Sequence, residues 1–375
     1  MKRRVMFCFG TRPEAIKLAP VIHELARQRG EFQPVVLVTA QHRRMLDQVL
    51  RAFDIRPDHD LDLMRPGQSL AAVTVGVLRG VERVLRRARP DMVMVQGDTT
   101  SALAAALTAF YQRIPVGHVE AGLRTSDKYS PYPEEMNRRL VSSLADLHFA
   151  PTRAARDNLL REGVPRGRIK VTGNTVVDAL KAIRRSMALW RVSALDKIAP
   201  GQRVILVTAH RRESFGTGFE RICEALRTIV ERNPDVEVVY PVHLNPNVRR
   251  PVRALLDRTP RVHLIKPLEY LPFVRLMERA YLILTDSGGI QEEAPALGKP
   301  VLVMRDVTER PEAVAAGTAR LVGTDIDLIV SATERLLRSP AAYRRMARAR
   351  NPFGDGRAAT RIAAALRRFF PAAAN

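Results

Sequence analysis

The sequence predicts an α/β protein made of two doubly wound domains, each built on a parallel sheet. Short apolar, β-branched runs alternate with longer helical patterns, the signature of βαβ units whose strands are buried on both faces. At 375 residues the chain exceeds what one hydrophobic core ordinarily organises. Nearly every unusual polar residue comes directly after an apolar run, where open α/β sheets hold ligands at the carboxyl ends of their strands.

The first set of expected strands covers Val5 to Gly10, Val35 to Ala40, Met92 to Asp98, Val116 to Ala121 and Leu147 to Thr152. A helical, charged stretch comes next, around residues 176–200. The second set covers Val204 to His210, Val236 to His243, Val262 to Leu268, Leu282 to Gly288 and Pro300 to Asp306. The expected domains are therefore residues 1–172 and 173–356. The segment 357–375 opens on an amphipathic helix that can return to pack on the first domain. Two lobes imply a cleft.

With 46% hydrophobic and 27% charged residues, the composition is that of a soluble globular protein. The opening MKRRVMFCFG is basic, but its apolar run is shorter than the roughly 7–15 residues of a signal-peptide core. No stretch approaches the ~18 apolar residues of a membrane span, so a cytoplasmic protein without a membrane partner is expected. Two cysteines, Cys8 and Cys223, form neither a disulfide framework nor a CxxC pair, and each reads as a buried thiol. The net charge of +22 suits nucleic acid, an anionic surface or a polyanionic small substrate. Much of it lies in arginine-rich helical stretches such as Arg79 to Pro90 and Tyr343 to Arg350. Aromatics, at 5%, do not interleave with these runs, so the stacking platforms of a nucleic-acid binder are missing.

The strand LILTD runs into Ser287-Gly288-Gly289 and then the helical pattern IQEEAPALG. The glycines let a ligand approach the backbone, Ser287 can cap or bind an oxygen, and the free N–H groups of the helix attract phosphate. Glu293, one turn on, would repel phosphate unless it faces ribose hydroxyls, whereas Glu292 reads as a solvated helix residue. Arg310 in TERPEA either adds fixed positive charge or is an ordinary surface arginine. After the first strand, FGTRPEAIK lacks the G-x-G-x-x-G fingerprint, which disfavours NAD. Arg12 and Lys17 instead put cations at this strand–helix junction, suited to a leaving diphosphate, with Pro13 in the first helical turn.

Asp98 in QGDTT, Glu120 in HVEAGLRT, Glu134 in SPYPEEMNRR and His210 in TAHRRES all fall at or near strand ends, where proton-transfer groups belong. Each has a bland alternative: an N-cap for Asp98, a helix start for Glu134, a satisfied histidine for His210. None belongs to a Cys/His set or HExxH motif, so no metal is expected.

Taken together, FGTRPEAIKLAP, GDTTSALAAALTAFYQRIPVGHVEAGLRT, YSPYPEEMNRRL, TGNTVVDAL, HRRESFG, LTDSGGIQEEAPALGKPVLVMRD and NPFGDG resemble the non-hydrolysing UDP-N-acetylglucosamine 2-epimerases over almost the whole chain. The resemblance implies two Rossmann-like domains of glycosyltransferase-B-like architecture, with the active site in the interdomain cleft. It also implies no cofactor and a homodimer. Carried over by position, substrate binding falls on Arg12, Lys17, Arg138, Phe273, Ser287, Gly288, Gly289, Glu293 and Arg310, and catalysis on Asp98, Glu120, Glu134 and His210. A regulatory UDP-sugar site present in some relatives maps to Gln41, His42, Arg211 and His243, although Arg44 and Gly67 differ from it. Leu268, Gln96 and Ala209 also depart from the common residues.

The implied reaction is reversible conversion of UDP-N-acetylglucosamine to UDP-N-acetylmannosamine, supplying N-acetylmannosamine units for cell-surface polysaccharide. The C2 proton lies beside no ketone, so direct removal would leave an unstabilised carbanion. The resemblance implies elimination of UDP to a 2-acetamidoglucal and re-addition. A hydrolysing relative that releases N-acetylmannosamine and UDP is the nearest alternative.

Overall fold

A computed structural model describes the chain except residues 1, 40–42, 64, 66, 126, 185–189 and 371–375, and except the side chain of Arg44. Gln41 and His42 of the expected regulatory set fall outside the described residues. The chain divides into two compact units, residues 1–183 with 353–375, and residues 184–352.

In the first unit the elements run β1 Arg3–Phe9, α1 Arg12–Arg27, β2 Phe32–Val38, α2 Arg43–Ala52, β3 His59–Asp60, α3 Leu70–Ala88 and β4 Met92–Gln96. They continue with α4 Thr100–Tyr111, β5 Val116–Val119, α5 Glu134–Leu144, β6 Leu147–Ala150, α6 Arg153–Arg161, β7 Ile169–Val171 and α7 Thr175–Arg184. The seven strands form one parallel sheet in the order β3-β2-β1-β4-β5-β6-β7. Strand β1 shows why the apolar runs are continuous rather than alternating. Met6 and Cys8 pack with Val77, Val81 and Leu85 of α3 and the alanines of α4. The intervening Val5, Phe7 and Phe9 are equally buried and point to the opposite face, as a two-residue period requires.

The second unit runs β8 Arg203–Thr208, α8 Thr217–Arg232, β9 Val236–Pro241, α9 Pro246–Leu256, β10 Val262–Ile265, α10 Tyr270–Arg279 and β11 Leu282–Thr285. It ends with α11 Gly288–Glu293, β12 Val301–Val303, α12 Pro311–Ala315, β13 Ala319–Leu321, α13 Ile326–Arg338 and α14 Pro340–Ala347. Its six strands form a parallel sheet ordered β10-β9-β8-β11-β12-β13. Its core gathers Ile205, Val207, Phe219, Leu226, Tyr240 and Leu284. Cys223 lies in this core. Burial pushes both thiols up to about 12, so each stays protonated and inert.

The first unit extends beyond the expected residue 172, through α7, and resumes at Phe353 rather than at 357. Hydrogen bonding accounts for the difference. Asp178 of α7 accepts the N–H groups of Ala358 (3.2 Å) and Ala359 (2.9 Å), which open the last helix, α15 Ala358–Phe369. The Asn174 N–H donates to the Phe353 carbonyl at 2.7 Å. Helix α15 packs on α1, and Arg367 binds Glu31 (2.5 Å) and Gln28 (2.9 Å). No described helix is long and apolar enough to cross a membrane.

Each sheet reverses its direction of growth once, between β1 and β4 and between β8 and β11. A crevice opens at the carboxyl ends of strands at such a point, the general ligand position of doubly wound folds. Arg12 and Asp98 lie just past the first pair of strands. His210 and Ser287 lie just past the second.

Candidate active site

In the first unit a buried carboxylate ties the two loops of the reversal together. Glu14, one turn into α1, accepts the N–H groups of Gly10 (3.1 Å) and Thr11 (2.8 Å), completing a T-x-x-E helix start. It also accepts the hydroxyl of Thr99 at 2.7 Å. Burial pushes the Glu14 carboxyl up, although these hydrogen bonds draw it back. Thr99, not Asp98, caps α4 through the Ala102 N–H. Asp98 is thereby left to pair with Arg138 of α5, while its carbonyl accepts Asn137 Nδ2 at 2.9 Å. From below, the His118 ring contacts the Gly97 carbonyl at 2.8 Å. Complete burial holds His118 down to about 3, so the ring is neutral and supports the turn that carries Asp98.

Glu120 stands just past β5 with φ +64°, a left-handed conformation that costs a non-glycine residue about 1–2 kcal/mol. Its Oε2 meets Lys17 Nζ and accepts Asn174 Nδ2 at 3.0 Å. Lys17 was expected to serve a diphosphate; its ammonium is instead paired with this carboxylate. Arg12, half-buried at the first position of α1, is the cation of that junction not engaged in an ion pair among the described residues.

Glu134 is the first residue of α5 and is half-buried, and its carboxylate makes no ion pair among the described residues. The neighbouring Glu135 has no exposed surface. It pairs with Arg138 (3.3 Å) and Arg139 (2.9 Å) and accepts the Thr125 N–H at 3.2 Å. Thus Glu135 anchors Arg138, and Arg138 anchors Asp98. The peptide bonds Ser130–Pro131 and Tyr132–Pro133, leading into α5, are cis.

In the second unit Thr208 and Thr285 are register partners whose hydroxyls lie 2.6 Å apart, fixing the strand ends. Asp286, fully buried, accepts the N–H groups of His210 (2.6 Å) and Arg211 (2.7 Å) at Oδ2. Its Oδ1 lies 3.1 Å from His210 Nδ1. Burial raises the Asp286 carboxyl, but the His210 contact and the two N–H groups outweigh it and hold it below its ordinary value. His243 of the expected regulatory set stacks on His210, with centroids 5.5 Å apart and rings 22° from parallel. Arg211 gives its backbone N–H to Asp286 and its guanidinium lies 3.9 Å from Glu309.

The Ser287-Gly288-Gly289 turn opens α11 as expected, and the Ser287 N–H donates to Thr285 Oγ1 at 2.9 Å. The N–H groups of a first helical turn have no partner within the helix. A methyl group on Gly288 would stand 3.6 Å from Glu309 Oε2 and 4.0 Å from Arg310 Cζ, so both side chains lie against the turn. A methyl on Gly289 would stand 3.9 Å from Glu293 Oε1, which turns back toward the same place. Glu292 is not solvated: it is buried and binds Arg310 Nε at 2.5 Å. The helix phase puts Glu292 inward and leaves Glu293 half-buried. Phe273, also half-buried, lies on α10. No cluster of metal-ligating side chains occurs among the described residues.

Asp286, Asn174, Glu14, Glu135 and His118 are the residues that sequence reasoning did not single out. For Glu135 a signal existed, since Glu135, Arg138, Arg139 and Ser142 share one helix face.

The model of the UDP-N-acetylglucosamine 2-epimerase family matches residues 23–367. The UDP-N-acetylglucosamine 2-epimerase of Yersinia pestis is 60% identical, covering 97% of this chain and 98% of that protein. Among solved structures, a UDP-N-acetylglucosamine 2-epimerase assigned in Listeria monocytogenes superimposes with a TM-score of 0.92 at 48% identity, covering 98% and 97% of the two chains. The Neisseria meningitidis enzyme, solved with UDP-N-acetylglucosamine bound, gives 0.88 at 50% identity, covering 97% and 100%. The fold is thus the paired Rossmann-like, glycosyltransferase-B-like one. With the match running through both sheets and both strand-end clusters, the chain belongs to the UDP-N-acetylglucosamine 2-epimerase family.

Proposed function

We propose that this chain interconverts UDP-N-acetylglucosamine and UDP-N-acetylmannosamine without net hydrolysis. The observation that supports it most is the pair of anchored carboxylates Asp98 and Glu120 on the ends of neighbouring strands, each beside a cation. Removing and returning a proton on opposite faces of C2 asks for more than one acid/base group, and paired carboxylates answer that need.

A carboxylate takes the C2 proton while the electron pair of that C–H bond forms the C1–C2 double bond. The anomeric C–O bond breaks with its electrons going to UDP, leaving 2-acetamidoglucal. UDP adds back at C1 as a proton is delivered to the other face of C2. Asp98, Glu120 and Glu134 share this traffic. His210 stabilises the leaving diphosphate or relays a proton to it. Arg12, Arg310 and the N–H groups at Gly288 and Gly289 offset charge growing on the diphosphate, and Glu293 receives the ribose hydroxyls. Lys17 pairs with Glu120 and orients it.

Incubation with UDP-N-acetylglucosamine in D₂O, followed by NMR, tests this. The expected result is an equilibrium of the two UDP-sugars carrying deuterium at C2. Free N-acetylmannosamine with UDP would establish the hydrolysing reaction instead, and an unexchanged, unaltered sugar would overturn both.

A further inference from the structure

We infer that Asp286 selects the tautomer and orientation of His210, so that Nε2 is the ring nitrogen offered to the substrate. The inference rests on the proposed role of His210 and adds a residue to which no part has been given.

The geometry is built from the sheet outward. Strands β8 and β11 are adjacent, and the Thr208–Thr285 hydroxyl contact of 2.6 Å fixes their carboxyl ends together. Asp286 and His210 each lie one or two residues beyond that contact. Two backbone N–H groups, of His210 at 2.6 Å and Arg211 at 2.7 Å, hold Oδ2. With Oδ2 fixed, the planar carboxylate has one direction left for Oδ1, which lies 3.1 Å from His210 Nδ1, within ion-pair distance but without hydrogen-bond geometry in this ring orientation, and has no other hydrogen-bond partner among the described residues.

A carboxylate accepts and does not donate, so a buried Oδ1 with no other hydrogen-bond partner among the described residues favours the tautomer with the hydrogen on Nδ1, a small turn of the ring completing the bond. In the neutral ring Nε2 then bears the lone pair; in the imidazolium it bears the second hydrogen. His243 stacks against one face of the ring, and its own Nδ1 is taken by the Asn245 N–H at 3.1 Å. Ring translation and tilt are therefore limited by His243, and rotation by Asp286. The His210 side chain is 39% exposed, whereas Asp286 is fully buried, so the histidine can meet substrate and the aspartate acts through it. A carboxylate behind a histidine has this orienting function in hydrolases and metal sites alike.

The test uses the full-length protein labelled with ¹⁵N-histidine, His210 being assigned by comparison with H210N. In the unsubstituted protein, above the ring's own titration, the expected signature is a protonated Nδ1 and an unprotonated Nε2. The opposite tautomer would overturn the inference without any variant at position 286. In D286N the tautomer ratio shifts toward Nε2–H and kcat falls roughly 10²–10⁴-fold, as for misoriented histidines elsewhere, with KM little changed. Placed on H210N, the same substitution produces no further loss. An equal loss in both backgrounds would mean that Asp286 merely holds the 209–211 turn. Wild-type turnover by H210N would instead remove His210 from the proposed mechanism while leaving the tautomer measurement standing.

Discussion

Asn174 Nδ2 donates to Glu120 Oε2 at 3.0 Å, on the same oxygen that meets Lys17. The amide is itself fixed, since Asn174 Oδ1 accepts the Val176 N–H at 3.1 Å and its backbone N–H reaches Phe353. Glu120 is thus held in a costly backbone conformation by a buried amide and an ammonium. Replacing Asn174 by Ala should lower kcat by roughly 10- to 100-fold while Glu120→Gln lowers it by roughly 10²–10⁴-fold, the range for loss of a proton-transfer group. Steady-state rates for both variants check this, and an N174A enzyme with full turnover would remove the amide from the site.

Arg310 and Glu292 form a buried pair at the foot of the glycine turn. Replacing Arg310 by Met takes the guanidinium away from the buried Glu292 carboxylate and should lower stability. The variant should therefore lose substrate affinity and denaturant resistance together. R310M/E292Q should regain most of the stability but not the affinity. Urea unfolding and UDP titration of the two variants separate these contributions.

The two buried histidines make stability acid-sensitive. Burial holds His118 down to about 3 and His148 to about 4, against 6.5 for an unperturbed ring. Between those values the unfolded chain binds protons that the folded chain refuses. Stability is full above pH 6.5 and falls as pH drops through this window, by up to about 1.4 kcal/mol per unit for each ring. Glu14 and Asp178, both raised chiefly by burial, act oppositely. A His148→Gln variant isolates one histidine: its unfolding free energy should vary less between pH 6.5 and 4.5 than that of the unsubstituted protein.

Phe110 and Tyr111, at the end of α4, are 56% and 70% exposed, and Leu140 of the adjacent α5 is 45% exposed. An apolar patch of this kind suits a second copy of the chain. The expected homodimer should weaken or dissociate in F110E/Y111E with the fold intact. Sedimentation velocity across a dilution series checks it, and an unchanged dimer would place the interface elsewhere.

Strand positions were legible because both faces of each central strand are buried, leaving uninterrupted apolar runs. The edge strands β3, β7 and β13 were not. Each has two or three residues, and Asp60, Lys170 and Arg320 interrupt the apolar signal. The candidate residues were legible as positions after strands, but not their partners. In EE pairs such as Glu134-Glu135 and Glu292-Glu293, composition is silent about which carboxylate turns inward, and only the phase of the helix decides. Asn174 reads equally as a helix cap, and it does bond to Val176; its bond to Glu120 depends on a residue 54 positions away. Asp286 lies hidden in the motif that announced the glycine turn.

Glu14 joins the loop after β1 to the loop after β4 through one carboxyl group. Arg12 and Asp98 therefore belong to a single mechanical piece, and displacing either loop displaces the other. Anyone retailoring this enzyme toward another nucleotide sugar would do best to exchange residues 10–14 and 97–99 as a set, since altering one segment alone would misalign a loop that was never touched.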